Sequence, residues 1–131
     1  MRTDCGDVNE DVDQFLLENI DTVPHLEALL LLRNSSPTVW SVEDLAARLF
    51  LGSSSAKEIL NDLVRQGLIV AVRSATESYR YEPDPRWDSI IAAVDSAYRK
   101  ELVRISKLIH SKPSAAVREF ARAFRMKKDR H

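Results

Sequence analysis

The residue types that most often carry catalysis or bind metals are sparse in this sequence and lie far apart. The 131 residues include three histidines, His25, His110 and His131, and a single cysteine, Cys5. The sequence has no phosphate-binding glycine loop, no Cys-x-x-Cys pair, no histidine pair at metal-ligand spacing and no nucleophile elbow. Each histidine is therefore expected to be a surface or cap residue. The sequence predicts no catalytic residue, no metal site and no cofactor.

Cysteine usage and hydropathy indicate the compartment. A single cysteine cannot form an internal disulfide, so Cys5 is expected to be a free thiol in a reducing environment. The longest apolar runs, among them Ala28 to Leu32, have five residues and are far shorter than the roughly 20 residues of a membrane-spanning helix. The acidic N-terminus lacks the basic and apolar regions of a secretory signal. These features predict a cytoplasmic protein without membrane association.

Charged side chains are unevenly distributed along the chain, although the formal net charge is only −1. Residues 1–30 hold eight acidic side chains and one basic side chain, whereas residues 96–131 hold eleven basic and three acidic ones. The two ends either attract each other, within one chain or across a dimer, or bind different partners. The charge distribution alone leaves these alternatives open.

Helix is expected to dominate, because the chain has only 3 glycines and 5 prolines to form tight turns. Segment 1–10 has no apolar period and is predicted to be frayed, and a short helix is predicted from Asp11 to Ile20. The sequence at 21–24, with Asp, Thr and Pro, predicts the start of a second helix that continues to about Asn34. This second helix is apolar on nearly all sides and is therefore expected at the centre of the core.

The next block predicts two helices joined by a tight turn. Ser41 followed by Asp44 resembles a capping box and predicts the start of a short helix that ends near Leu49. Another helix is predicted from about residue 54 to residue 66, and Gly67 is placed to end it in a left-handed conformation. The apolar positions of this helix recur at helical spacing and are expected to face the core. They are Ala56, Ile59, Leu60 and Leu63.

A β-hairpin is predicted after the second of these helices. The apolar run at 68–72 predicts one strand, the alternation at 79–81 predicts its return strand, and a polar loop at 74–78 joins them. Pro83 and Pro85 follow the hairpin and end the unit.

These elements, over about residues 24–82, resemble a winged helix-turn-helix. Segment 63–69, Leu-Val-Arg-Gln-Gly-Leu-Ile, resembles the end of the recognition helix and the first wing strand in bacterial regulators of the MarR and PadR type. The resemblance implies a mainly α fold with a small β-hairpin wing, in a transcriptional regulator whose helix 54–66 binds DNA. Winged helices also serve as protein-interaction modules, so the fold does not decide the function.

Helical geometry selects the residues that would contact DNA. If the apolar positions of helix 54–66 face the core, a rotation of about 100° per residue directs the opposite side to solvent. On that side Asn61 is suited to an adenine edge, and Arg65 is suited to guanine or phosphate. The serines and the lysine near the helix start are expected to bind backbone phosphates. Two arginines are expected to flank the wing. The complete predicted DNA-binding set is Ser54, Ser55, Lys57, Asn61, Arg65, Arg73 and Arg80.

In the last third of the chain, the apolar spacing predicts one long helix over 87–110 and a shorter helix after Pro113, followed by a basic tail. The apolar stripe of the long helix is longer than one small winged domain requires, and we expect it to form a homodimer interface. The alternative is that the stripe packs on the N-terminal helices of the same chain. Segment 98–125 also resembles the tails of small uncharacterised bacterial winged-helix proteins, which implies no activity.

The predicted organisation is an acidic segment 1–10, a winged helix-turn-helix domain 11–85 and a helical extension 86–131. Two functions remain open. One is a dimeric regulator that binds double-stranded DNA. The other is a winged-helix module that binds a protein instead of DNA. The charges of the winged unit leave this second function possible. Residues 41–82 carry six acidic and five basic side chains, including Glu58 and Asp62 on or near the predicted DNA face, whereas DNA-binding surfaces are usually basic.

Overall fold

The computed structural model describes residues 4–73 and 77–111, which form six helices and three short strands. The predictions for the side chain of Cys5, for the helix after Pro113 and for the basic tail lie outside the described residues and side chains. In chain order the elements are α1 (Asp4–Asn19), α2 (Val23–Asn34), β1 (Trp40–Ser41), α3 (Val42–Leu49), α4 (Ser53–Arg65), β2 (Val70–Val72), β3 (Ser78–Arg80), α5 (Asp88–Lys100) and α6 (Leu102–Ser111).

The predicted helix boundaries are set by side-chain caps and one glycine. The side chain of Thr22 accepts a hydrogen bond from the backbone of His25 at the start of α2. Ser41 Oγ accepts one from the Asp44 amide, 3.1 Å away, at the start of α3. These hydroxyls bind amides of the first helical turn, which have no partner within the helix. After α4 the chain turns at Gly67, whose φ of +78° is the left-handed conformation predicted for it.

The prediction that segment 1–10 is frayed is wrong from Asp4 onward, because α1 begins there. The middle of α1 packs against α5, and its apolar side is buried at Val12, Phe15 and Leu16. Once a helix is held by such packing, each further residue adds a backbone hydrogen bond without a new nucleation cost. The helix can therefore extend through residues that have no apolar period of their own.

The wing belongs to a three-stranded antiparallel sheet with strand order β1-β3-β2. The predicted hairpin is confirmed, with Val70 opposite Arg80 and Val72 opposite Ser78. The prediction of two strands is incomplete, because Trp40 of β1 also pairs with Tyr79 of β3. A strand of two residues is too short to show the alternation from which a strand is recognised.

The prediction of one long helix over 87–110 is wrong. The chain leaves the helical conformation at Glu101, which has φ −131° and ψ 51°, and continues as α6. The bend contains neither glycine nor proline, so no local signal marks it. It allows α5 to pack on α1, and α6 to pack on both α1 and α2. The side chains that this packing buries are Ile91, Val94, Ile105 and Ile109.

Much of the C-terminal apolar stripe is therefore covered by the same chain, as the alternative interpretation expected. Leu102 and Val103 at the start of α6 remain exposed, with 52% and 65% of their surface accessible. One ion pair joins the acidic N-terminal segment to the start of the basic segment within the chain, since Arg104 Nη1 of α6 lies 3.2 Å from Asp13 Oδ1 of α1. Among the described residues no helix is long and apolar enough to span a membrane.

A polar cluster joins α2, the end of the wing and α5. The Tyr81 hydroxyl donates a hydrogen bond to Asp88 Oδ1 over 2.6 Å, and Arg33 Nε donates to the same oxygen over 3.2 Å. The bond from Tyr81, together with the charge of Arg33, lowers the pKa of the Asp88 carboxyl. Burial and the bond to Asp88 raise the pKa of Tyr81 to about 12. The neutral phenol and the carboxylate are thus the forms that the fold favours.

We expect Tyr81→Phe to lower the free energy of unfolding by about 1 kcal/mol near pH 7, because it removes a hydrogen bond to a charged acceptor that is partly exposed. The difference from the wild type should shrink as the pH rises above 10, because the unfolded phenol then ionises while the folded phenol, whose pKa is raised to about 12, keeps its proton. It should also shrink below about pH 4 as Asp88 is protonated. Urea denaturation across this range measures the difference. Equal stability of the two proteins at pH 7 would contradict a stabilising role for the cluster.

Candidate nucleic-acid interface

The orientation of α4 follows from the burial of its apolar side against α2 and α3. The four residues predicted to face the core are buried, and Leu60 and Leu63 have no accessible surface. The opposite side is exposed, as predicted, and carries Ser54, Glu58, Asn61 and Arg65, with Ser55 and Lys57 flanking it. Their exposure is confirmed, while their contact with DNA stays a prediction.

The turn between α3 and α4 presents an exposed aromatic side chain, Phe50, for which no sequence pattern predicted a role. Phe50 ends α3 in a left-handed conformation, with φ 58° and ψ 46°, and 94% of its surface is exposed. Glycine is the usual residue at such a position, since a side chain adds strain there. The Leu51 amide donates to the Ala46 carbonyl over 2.8 Å and closes the turn. A large apolar side chain is therefore held in solvent, in a backbone conformation that disfavours it.

A groove opens between the starts of α3 and α4 and the residue that precedes β3, Glu77. Lys57 Nζ of α4 lies 3.1 Å from Glu77 Oε1, so one ion pair joins α4 to the wing. Both side chains are about half exposed, and exposed pairs of this kind contribute only about 0–1 kcal/mol. The residues that line the groove are Val42, Glu43, Ser53, Ser54, Lys57 and Glu77.

Asn61 is oriented by a buried phenol. The Tyr79 hydroxyl of β3 donates to Asn61 Oδ1 over 3.3 Å, while the Asn61 residue itself is exposed. Burial, followed by the nearby charge of Glu77, raises the pKa of Tyr79, so the phenol keeps its proton. Because an amide oxygen has two lone pairs, Asn61 can still present Oδ1 as an acceptor together with its NH2 donors to a partner. The adenine contact of Asn61 stays a prediction.

The predicted arginines are not gathered in one place. Arg65 forms an ion pair with Asp62 one helical turn earlier. Arg80 lies opposite Val70 at the base of the hairpin and pairs with Glu82, with Nη2 to Oε1 at 2.9 Å. Arg73 follows β2 at the other end of the hairpin and is exposed. The structure therefore separates the two wing arginines, and several basic groups near α4 already have an acidic neighbour.

His25 was expected to be a surface or cap residue, and it lies in the capped first turn of α2 but not at the surface. Only 7% of its surface is exposed, and its ring bridges Thr22 and Asp62. Among the described residues, Asp21, His25 and Asp62 form a group whose side chains could hold a metal ion. The spacing of four residues between Asp21 and His25 is a sequence signal for such a pair. The third member comes from α4, which only the fold brings near.

No protein-family model and no curated protein matches the chain. Solved structures of MarR-family proteins share its fold across nearly the whole chain. A MarR family protein from Bacillus stearothermophilus is 19% identical, with a TM-score of 0.53, and the match covers 96% of this chain and 86% of that one. A MarR family transcriptional regulator from Streptomyces coelicolor is 19% identical, with a TM-score of 0.56 and coverages of 95% and 79%.

A third structure is that of a mutant of MepR from S. aureus, bound to an oligodeoxyribonucleotide. It is 17% identical to this chain, with a TM-score of 0.55, and the match covers 95% of this chain and 88% of that one. At these identities the similarity establishes the fold and carries no residue roles. The predicted fold class, a mainly α winged helix-turn-helix with a small β wing, is confirmed, and it is the fold of these MarR-family structures.

Proposed function

We propose that the protein is a DNA-binding transcriptional regulator that places α4 in the major groove of double-stranded DNA. The observation that carries the proposal is the orientation of α4, which buries its apolar side and leaves a polar side open within a winged-helix fold. The S. aureus MepR mutant, whose structure includes an oligodeoxyribonucleotide, shares this fold. A helix of this kind fits the major groove and contacts base edges through its exposed side chains.

The exposed polar side of α4 offers groups suited to base and phosphate contacts. The Asn61 NH2 group can donate to a purine acceptor, and Glu58 can accept from the amino group of cytosine. Ser54, Ser55 and Lys57 lie in the first turns of α4, where backbone amides and a cation favour phosphate. In this assignment Glu58 contributes to base selection, although its negative charge repels the DNA phosphates.

The ion pairs on this face do not prevent phosphate binding. Lys57 and Arg65 each have an acidic neighbour, but both side chains are substantially exposed, at 49% and 71%. Exposed ion pairs are weak, so a phosphate oxygen can replace the carboxylate at little cost. Arg73 and Arg80 would then reach phosphates from different ends of the hairpin.

Phe50 supports the proposal independently. An exposed aromatic ring in a left-handed conformation costs stability, and such outliers concentrate at functional sites. The turn that holds Phe50 precedes α4 directly, so the ring lies close to the helix end that would enter the groove. Apolar side chains in the major groove contact the methyl group of thymine. We assign Phe50 this contact.

Dimer formation is part of the proposal, since symmetric regulators bind two half-sites. Leu102 and Val103 of α6, together with the partly exposed Leu17 of α1, are the large apolar side chains that remain uncovered in the described C-terminal and N-terminal helices. A protein-interaction module is the alternative function, and the mixed charges around α4 favour it. The two functions differ in whether duplex DNA binds to this face.

Asn61→Asp tests the DNA face with little change in shape. The carboxylate retains an acceptor for Tyr79, but it removes the NH2 donor and adds a negative charge toward DNA. We expect duplex affinity to fall about tenfold or more, which corresponds to roughly 1.4 kcal/mol. Fluorescence anisotropy with a labelled random-sequence duplex at about 20 mM salt, where screening is weak, measures this.

Gln14→Glu is the matched control, because it adds the same charge to an exposed position on α1, outside the proposed interface. Its affinity should stay within about twofold of the wild type, as expected for a distant, independent site. An equal loss in both variants would indicate a general charge effect. Failure of the wild type to bind DNA would favour the protein-interaction module.

Phe50→Gly should change stability and DNA binding in opposite directions. Glycine relieves the left-handed strain, so we expect the free energy of unfolding to rise by about 1 kcal/mol. The loss of the ring should weaken binding to an alternating A·T duplex. The loss of the ring should lower the affinity less for the same duplex with uracil in place of thymine, since uracil lacks the methyl group. Thermal denaturation and anisotropy provide the two readouts, and a variant that binds both duplexes like the wild type would refute the assigned contact.

A further inference from the structure

Three side chains from separate parts of the fold converge beside the last turns of α4. Asp21 lies between α1 and α2, His25 is in the first turn of α2, and Asp62 is on α4. One ligand-type atom from each residue lies within 4.8 Å of the other two. His25 Nε2 and Asp62 Oδ2 are 2.9 Å apart. With metal–ligand bonds of about 2.0–2.2 Å, neighbouring ligand atoms lie about 2.8–3.1 Å apart at octahedral angles and about 3.3–3.6 Å apart at tetrahedral ones. This pair has the octahedral separation and needs to open by only a few tenths of an ångström for a tetrahedral site.

The imidazole is held in the orientation that a metal ligand requires. Thr22 Oγ1 lies 2.6 Å from His25 Nδ1, which leaves Nε2 directed at the carboxylate of Asp62. Histidines that bind metals usually have their other ring nitrogen hydrogen-bonded to a neighbouring group. When a cation binds Nε2, the imidazole proton resides on Nδ1 and is donated to Thr22 Oγ1. A hydroxyl oxygen can accept this bond together with the one from the His25 amide, at 3.3 Å.

We propose that Asp21, His25 and Asp62 bind one divalent first-row transition-metal cation, of the class that includes Mn²⁺, Co²⁺ and Zn²⁺. One imidazole nitrogen with carboxylate oxygens suits these ions, whereas Ca²⁺ and Mg²⁺ prefer oxygen ligands alone. The burial of His25 fixes the orientation of its ring before any ion binds, so the fold organises part of the site in advance. Water would complete the coordination beside the partly exposed carboxylates.

The position of the site connects the cation to the DNA face, and this connection rests on the proposed function. Asp62 uses one oxygen for His25 and the other for Arg65. A cation on Asp62 neutralises its charge and weakens its attraction for Arg65. Arg65 is then available to a phosphate, so the cation should strengthen DNA binding. The cation site itself does not depend on any DNA contact.

Cobalt titration of the metal-free full chain tests the site without DNA. We expect one equivalent of Co²⁺ to bind, with a visible absorption band and a raised thermal midpoint, and Zn²⁺ to displace it in accordance with its higher affinity. Asp21→Asn and His25→Gln should each weaken Co²⁺ binding by about tenfold or more. Loss of a group that only orients a metal ligand already costs about tenfold in affinity, and loss of a ligand itself should cost at least as much. Mg²⁺ should produce no such shift.

His110→Gln is the control, because it removes an exposed histidine of α6 that is not part of the cluster. It should bind Co²⁺ like the wild type. Asp21→Asn keeps the result interpretable if the buried His25→Gln variant does not fold, since Asp21 is partly exposed in the turn before α2. Absence of Co²⁺ and Zn²⁺ binding at millimolar cation, or equal binding by the wild type and Asp21→Asn, would overturn the proposal.

The connection to DNA is measured separately by duplex anisotropy with and without Zn²⁺. Tighter binding by the wild type, with a smaller gain in Arg65→Ala, is expected. Metal binding without a change in DNA affinity would refute the connection alone. Metal binding by a chain that does not bind DNA under any condition would support the site and refute the proposed function.

Discussion

The burial of one side of α4 is the constraint on which the candidate interface depends. Leu60 and Leu63 are fully enclosed, and the contacts of α4 with α2 and α3 determine its rotation about its own axis. Because burial of each such side chain contributes about 1.5–3 kcal/mol, no alternative rotation that exposes them is competitive. The side chains on the opposite face are consequently presented to solvent as a fixed set. The wing adds to this set by orienting Asn61 through Tyr79 and by pairing with Lys57.

The fold could be predicted from the sequence wherever a local pattern determines structure. The apolar spacing of α4 predicted its buried side, Thr22 and Ser41 predicted helix starts, and Gly67 predicted the left-handed turn before the wing. Each of these signals operates within a few residues. The winged helix could be recognised because its helix–turn–helix–hairpin order is a sequence of such local signals.

The remaining features depend on contacts between distant segments. No local pattern marks the bend at Glu101, which follows from packing of α5 and α6 on the N-terminal helices. The left-handed conformation of Phe50 was not predicted, because glycine is the residue usually found in that conformation at a helix end. His25 meets Asp62 across 37 residues, so their hydrogen bond could not be anticipated from spacing. The electrostatic state of the interface likewise depends on partners that only the fold brings together.

Backbone amide chemical shifts of the full chain, recorded by NMR as a short DNA duplex is added, test the central claim most directly. If α4 binds DNA, the largest changes should occur in α4, at the turn around Phe50 and in the β2–β3 hairpin, with smaller changes in α5. Their size should decline as salt rises, because phosphate contacts release counterions. Changes confined to α5 and α6, or no changes at low salt, would contradict the assignment of α4 as the DNA-binding helix.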